Sequence, residues 1–218
     1  HGIERRLTGE ISALNLLHRT ATHSSLPVFD GGAMSPLSVW YVQAVASRLD
    51  PAKTVVELGS GVSTAWIASA LSQRPRSPRL LAVDHDPKYG DITRQYLADL
   101  DLGRGMNADV VVAPLREVDL DGRVYRWYDT AWTEGVQNIG LLIVDGPPSG
   151  EDVSSRYPAL PLLLDRLADE AIILLDDADR PGEADIIARW LKIPGVTRGE
   201  AVGRSRSLRF SRAGGEAR

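Results

Sequence analysis

The sequence predicts an α/β domain in which a mostly parallel, seven-stranded sheet carries helices on both faces and ends in an antiparallel hairpin. Three observations support this prediction. Short apolar runs alternate with segments of helical period along the 218 residues. Residues 54–68 have the pattern of a strand, a glycine-rich turn and a helix start. The run 139–144 is almost wholly apolar and ends at Asp145-Gly146, as expected for a buried parallel strand that breaks at its carboxyl end.

Length and composition favour one large domain. With 43% hydrophobic residues the chain can bury one substantial core, and a second full domain would be cramped. It contains no cysteine and no apolar run long enough to cross a membrane, so we expect a cytoplasmic enzyme without membrane attachment. The formal net charge of −4 argues against a broad phosphate-binding surface, and therefore against a nucleic-acid partner.

Residues 1–34 are expected to form an N-terminal helix and a lid-like loop. Apolar residues at steps of three and four over residues 3–18 predict an amphipathic helix, which packs on the domain's own core or serves as a homodimer contact or a flap over the active site. Residues 19–34 have the composition of a loop. Because long loops in compact domains are often functional, His23 and Asp30 are candidates to approach a substrate, with a solvated loop as the alternative.

Residues 35–212 are expected to form the main domain, followed by a flexible tail over 213–218. Ser35-Pro36 has the pattern of a helix start, and this helix leads into the first strand. The later elements are predicted in this order: strand 80–84, helix 87–100, strand 110–113, strand 139–144, a helix containing Leu162 to Leu167, strand 171–175, helix 184–191, and hairpin strands 197–202 and 205–210.

The first strand and its turn predict a cofactor site of nucleotide type. A β-branched run ends at Glu57, Gly59 and Gly61 form the turn, and Ser63 is predicted to be the N-cap of the following helix. Such glycines let the backbone pass close to a ligand, and the amides of a helix start suit a carboxylate. A dinucleotide fingerprint would have a third glycine where this chain has Thr64. The acid before the turn is awkward beside a pyrophosphate but acceptable beside the sulfonium and ammonium groups of S-adenosylmethionine (SAM).

The second predicted strand ends in an acid that is suitably spaced to bind a ribose. Asp84 lies 23 residues beyond Gly61, near the spacing at which a carboxylate accepts hydrogen bonds from ribose hydroxyls. Capping of the helix that begins near Pro87 is the alternative role. His85 follows directly and is expected to flank the adenine or to face water.

Residues 116–132 are rich in charged and aromatic side chains, including Tyr125, Trp127, Tyr128 and Trp132. Aromatic faces beside arginine and carboxylate groups suit a carbohydrate. They suit equally a satellite hydrophobic cluster beneath a long connection, and both interpretations stay open.

Acids also follow two strands that are expected to end at the same rim of the sheet. Asp145 follows the fourth strand, and Asp176, Asp177 and Asp179 follow the fifth. In a doubly wound sheet these ends converge beside the cofactor. Carboxylates so close together raise one another's pKa unless a cation neutralises them, and oxygen ligands favour Mg²⁺ over Zn²⁺. The pattern predicts a magnesium site; helix capping and an Asx turn are the structural alternatives.

Together these motifs resemble the class I SAM-dependent O-methyltransferases with a metal site, especially the branch that acts on sugar hydroxyls in antibiotic and actinobacterial polysaccharide pathways. The likeness extends over about residues 30–190 and rests on Glu57-Leu58-Gly59-Ser60-Gly61, Val83-Asp84, Val144-Asp145-Gly146 and Leu175-Asp176-Asp177. It implies a Rossmann-like methyltransferase fold, Mg²⁺ held by Asp145, Asp176 and Asp177, and SAM contacts from Glu57, Gly59, Ser60, Gly61, Ser63, Asp84 and His85.

The resemblance implies transfer of the SAM methyl group to a hydroxyl of a sugar or oligosaccharide, a mannoside being one candidate, or of another small molecule. The lysine, histidine or second aspartate usual after the fourth-strand acid is replaced by Pro147-Pro148-Ser149. The general base therefore stays open among Asp145, Asp179, His23 and solvent hydroxide.

Three other functional interpretations of the sequence stay open. A SAM methyltransferase that works without a metal is the first. An NAD-dependent oxidoreductase is the second, and both Thr64 and the lack of a Tyr-x-x-x-Lys pair count against it. A cofactor-binding module without turnover is the third.

Overall fold

The computed structural model describes residues 2–103, 106–150 and 152–212 and confirms the predicted sheet. The strands, numbered in chain order, are β1 Thr54–Leu58, β2 Arg79–Asp84, β3 Ala108–Val112, β4 Leu115–Leu120, β5 Arg123–Tyr128, β6 Ile139–Val144, β7 Leu167–Leu175, β8 Val196–Val202 and β9 Ser205–Ser211. Seven of them form this sheet in the spatial order β3-β2-β1-β6-β7-β9-β8, in which β9 runs antiparallel to β7 and β8 and the other neighbouring pairs are parallel.

Six α-helices accompany these strands in the described part of the chain: α1 Gly2–Thr20, α2 Pro36–Ala46, α3 Val62–Ser72, α4 Pro87–Asp99, α5 Ala159–Leu163 and α6 Pro181–Trp190. Ser35 caps α2 as its sequence predicts, because its hydroxyl accepts a hydrogen bond from the amide of Ser38. None of the described helices combines the length and the apolar character needed to cross a bilayer. The tail predicted over residues 213–218 lies outside the described residues.

Alternate residues of the central strands face two apolar layers. Val55 packs in the layer that contains Leu17 of α1 and Trp66 of α3. Val56, the next residue, packs in the layer that contains Leu160 of α5 and Trp190 of α6. Because both faces of the sheet are covered, its central strands are apolar along their whole length, as the sequence shows.

Two local predictions are wrong, and one hairpin was not predicted. Leu167 begins β7 instead of continuing a helix, since α5 ends at Leu163 and a short 3₁₀ turn follows. Residues 115–128 form a separate antiparallel hairpin, β4 and β5, which the aromatic content of this stretch did not reveal. The N-cap of α3 is Gly61, and Ser63 lies inside the first turn.

Candidate active site

A cavity of about 530 Å³ opens at the carboxyl ends of β1, β2 and β6. Backbone hydrogen bonds continue the sheet past these ends: the amide of Gly59 donates to the carbonyl of Val83 over 2.8 Å, and the amide of Asp145 to that of Leu58 over 2.8 Å. Of the residues predicted to bind cofactor or substrate, those that line the cavity are Gly59, Ser60, Gly61, Ser63, Asp84, His85, Asp30 and Asp145.

Gly59 is required at its position for two reasons. Its φ of +92° lies in the left-handed region that side-chain-bearing residues rarely adopt. A Cβ at this position would also lie 3.1 Å from the carbonyl carbon and oxygen of Asp145. The glycine turn therefore packs directly against the end of β6 and brings two strand ends into one wall of the cavity.

Glu57 lies beneath the turn instead of facing the cavity. Its carboxylate accepts hydrogen bonds of 2.6 Å from the hydroxyls of both Ser63 and Thr64, and its side chain is fully buried. This buried acceptor explains why Ser63 points inward and does not cap α3. Burial raises the pKa of Glu57 to about 7, against the lowering effect of the two hydroxyls. Glu57 thus fixes the shape of the turn from below.

Asp84 is buried at the cavity wall with capacity to bind a ligand. Its carboxylate accepts hydrogen bonds from the amide and hydroxyl of Ser60, both over 2.9 Å, and from the amide of Asp86 over 3.0 Å. A carboxylate has about four lone-pair sites, so a further donor can be accepted. His85 lies beside it, with Nδ1 3.4 Å from Oδ1 of Asp84.

Tyr128, at the end of β5, is a cavity residue whose role the sequence did not single out. Its side chain is fully buried, and within the described structure its hydroxyl has no hydrogen-bond partner. Burial and the charge of Asp84 raise its pKa well above the ordinary value, so the hydroxyl stays protonated and can donate. A Cβ at Gly146 would collide with this hydroxyl, which shows how closely the β4–β5 hairpin covers the site.

The other aromatic residues of this stretch serve packing. Trp127 and Tyr125 are each 1% exposed, and the hydroxyl of Tyr125 accepts a hydrogen bond of 2.9 Å from Arg189. Trp132 packs at the edge of the same apolar layer. Trp127 and Trp132 thus pack in a hydrophobic cluster, and Tyr125 is buried with its hydroxyl paired, so none of the three presents an exposed face.

The predicted aspartate cluster forms, and arginines surround it. One carboxylate oxygen from each of Asp145, Asp176 and Asp177 lies within 4.8 Å of the others. Oδ1 of Asp177 lies 2.7 Å from Arg204, and its Oδ2 lies 2.9 Å from Arg180. Both oxygens of Asp177 are therefore already engaged in ion pairs.

A third arginine lies inside the cluster. Nη2 of Arg156 lies 3.4 Å from Oδ1 of Asp145, and Nη1 lies 3.5 Å from Oδ2 of Asp177. Oδ1 of Asp176 accepts a short hydrogen bond from Ser205. Burial raises the pKa of Asp145 and of Asp176, and their mutual proximity adds to the effect on Asp145.

These residues do not fit the three-carboxylate magnesium site that the sequence predicts. The oxygen ligands suit Mg²⁺, but a guanidinium lies between two of the three carboxylates. Asp176 and Asp177 do not line the cavity, whereas Arg156 and Arg180 do. An arginine just ahead of the apolar α5 is the only sequence signal that could have indicated this arrangement, because burying such a charge requires buried acids as partners.

Two of the three candidate catalytic residues lie outside the cavity lining. The ring of His23 contacts Ser69 through Nδ1 over 2.8 Å and the carbonyl of Asp101 through Nε2 over 3.1 Å. Asp179 lies 3.4 Å from both Arg6 and Arg204 and is 43% exposed. Of the three, the structure brings only Asp145 to the cavity wall.

Residues 56–178, more than half of the chain, match the model of a protein family described as a methyltransferase domain. This range begins within β1 and ends just after the aspartates that follow β7. None of the curated proteins matches the sequence.

Solved structures of similar architecture include several methyltransferases. An O-methyltransferase from Bacillus cereus in complex with S-adenosylhomocysteine (SAH) is 15% identical, with a TM-score of 0.59, over 94% of this chain and 91% of that one. TomG from Streptomyces achromogenes, an O-methyltransferase of tomaymycin synthesis in complex with SAM, is 16% identical, with a TM-score of 0.53, over 93% and 89%. An SAH-bound methyltransferase from Podospora anserina is 12% identical, with a TM-score of 0.60, over 94% and 88%. At these identities the likeness shows a shared fold.

Proposed function

The chain belongs to the methyltransferase-domain family, and on that premise we propose that it transfers the methyl group of SAM to a hydroxyl oxygen of a small-molecule acceptor. The observation that carries the proposal is the cavity wall itself. Asp84, the Gly59 turn and Asp145 lie along the ends of three adjacent strands, the place where open α/β sheets bind ligands. The SAM and SAH complexes of proteins with this fold support the choice of cofactor.

The cofactor would lie across the glycine turn. One ribose hydroxyl would donate to the remaining lone pair of Asp84. The cavity side chains of α4, Tyr89, Ile92 and Tyr96, offer an apolar and aromatic surface for the adenine ring. The methionine carboxylate suits the first turn of α3, where backbone amides lack partners within the helix.

In the transfer step the acceptor oxygen attacks the methyl carbon in line with the breaking carbon–sulfur bond. The sulfonium becomes the neutral thioether of SAH, and the hydroxyl proton leaves for a base. Asp145 is the proposed base, since it is the candidate that reaches the cavity. Most of the rate gain would come from holding the two substrates in line and from excluding water. No step passes through Mg²⁺, because the residues do not fit such a site.

The proposed acceptor is a sugar hydroxyl, with catechol-like and polyketide hydroxyls next. Polar groups that suit sugar hydroxyls line the cavity, those of Asp30 and Ser149 among them. A cavity of about 530 Å³ is in the size range of small-molecule sites.

Methyl transfer from radiolabelled SAM to a panel of glycosides, catechols and polyketides tests the proposal. We expect labelled product with at least one acceptor class and loss of labelling in Asp145→Asn. Calorimetry with SAH and with NADH supplies the check on the cofactor. Binding of NADH with no response to SAH would assign the chain to the oxidoreductases instead.

A further inference from the structure

Arg156 connects the two strand ends at which the sequence predicts a metal. Its side chain is 5% exposed. Nη2 donates to the carbonyl of Asp145 and Nη1 to the carbonyl of Asp176, each over 3.2 Å. Nε lies 3.4 Å from the carbonyl of Pro147, in the turn after β6. One guanidinium thus holds together the ends of β6 and β7 and the turn between β6 and α5.

The acids of this cluster have cationic partners without an added ion. Four acids meet there: Asp145, Asp176, Asp177 and the buried Glu183 of α6, whose Oε1 lies 3.9 Å from Nη1 of Arg156. Three arginines face them, Arg156 from inside and Arg180 and Arg204 from the half-exposed rim. Arginine stays protonated in proteins, so Arg156 is a permanent cation that would repel a divalent ion placed among the same carboxylates.

We propose that the guanidinium of Arg156 takes the place of a divalent cation in this chain. It neutralises the aspartates after β6 and β7 and fixes Asp145 at the cavity wall, so that the chain binds no metal there and methyl transfer proceeds without one. The part about methyl transfer rests on the proposed function; the part about metal binding does not. Arg156 is accordingly a positioning residue.

Manganese titration tests the metal-binding part directly. Loss of the electron paramagnetic resonance signal of free Mn²⁺ is recorded for the wild type, Arg156→Gln and Arg204→Gln. We expect no stoichiometric site in the wild type. In Arg156→Gln we expect one Mn²⁺ site, with an affinity at least about tenfold above any weak binding by the wild type. The reason is that the carboxylates lose the cation that lies among them. Arg204→Gln removes a half-exposed cation that pairs with Asp177, and this variant is expected to gain no Mn²⁺ site.

The thermal midpoint supplies a second readout, since an ion that binds only the folded state raises it with concentration. Mn²⁺ should raise the midpoint of Arg156→Gln, and adding Asp145→Asn to that variant should abolish the rise. A stoichiometric Mn²⁺ site in the wild type that Asp145→Asn removes would overturn the proposal. If Arg156→Gln folds only when Mn²⁺ is present, that result supports the proposal, and if it does not fold at all the wild-type titration decides.

Chelation tests the part that concerns methyl transfer. With EDTA we expect the rate to change by less than about twofold, whereas loss of activity that Mg²⁺ restores would overturn this part. If no acceptor is methylated with EDTA or with Mg²⁺, the proposed function fails. The manganese titration still tests the metal-binding part independently.

Discussion

The acids at the two ends of the cavity region have different kinds of hydrogen-bonding partner. Around β1 and β2, Glu57 and Asp84 are paired with hydroxyls and backbone amides, which leaves one lone pair of Asp84 for a ligand. Around β6 and β7, Asp145 and Asp177 are paired with guanidinium groups. The comparison teaches that the groups facing an acid in space, and not its place at a strand end, decide whether it can bind a further donor or a metal ion. Four variants test this contrast, from the largest expected effect to the smallest.

Gly59→Ala should damage the glycine-turn end most severely. The left-handed backbone and the contact with the Asp145 carbonyl together predict a loss of SAH affinity of about 1,000-fold, or about 4 kcal/mol. Gly122→Ala is the matched control, because Gly122 also has a positive φ, of +78°, but no described neighbour lies within 4 Å of its Cβ position. Calorimetry should show an unchanged SAH affinity in that control; equal losses in both variants would mean that packing against β6 is irrelevant.

Glu57→Gln should change how stability depends on pH. Because the folded state holds the Glu57 proton more tightly than the unfolded state, with a pKa of about 7, the contribution of this group is most favourable below its unfolded pKa. It declines as pH rises to about 7 and is then constant, a change of about 3 kcal/mol. Urea unfolding at pH 5 and pH 8 should therefore show a smaller fall in the free energy of unfolding for Glu57→Gln than for the wild type.

The exposed Glu117→Gln is the control for loss of one negative charge. A fall as large in Glu57→Gln as in the wild type would show that Glu57 is ionised at little cost in the folded protein. In that case the hydroxyls of Ser63 and Thr64 compensate its burial completely.

Asp84→Asn should weaken SAH binding by about 30-fold, or about 2 kcal/mol, since one charge-assisted hydrogen bond to the ribose is lost. Asp109→Asn, which removes a half-exposed acid paired with Arg79 outside the cavity, should leave the affinity unchanged. Titration calorimetry on both variants decides the matter. An unaltered affinity in Asp84→Asn would remove the distinction between the two ends, since Asp84 would then have no part in binding SAH.

Tyr128→Phe should have the smallest effect on the free protein. Its hydroxyl has no partner among the described residues, so its removal should leave the free energy of unfolding unchanged or raise it by up to about 1 kcal/mol. Tyr125→Phe, on the same strand, loses the hydrogen bond from Arg189 and should destabilise the protein by about 1 kcal/mol. Denaturant melts of the two variants give the comparison, and destabilisation by Tyr128→Phe would reveal a partner for that hydroxyl.

Local patterns were enough to predict most of the sheet. The apolar runs that become β1, β2, β6 and β7 are buried on both faces, so each strand can be predicted from its own residues. The β4–β5 hairpin escaped prediction because charged and aromatic residues are mixed along it, and the short α5 was placed too far along the chain because leucines suit a helix and a strand equally.

The sequence by itself determined the α/β architecture, the glycine turn at Gly59 and the acids at the ends of β2, β6 and β7, since each depends on residues close together in the chain. Only the tertiary structure decided what faces those acids. Arg156 meets Asp145 and Asp177 across 11 and 21 residues, and Ser205 meets Asp176 across 29. Charged groups neutralise one another across space, so their separation along the chain does not predict which of them will pair.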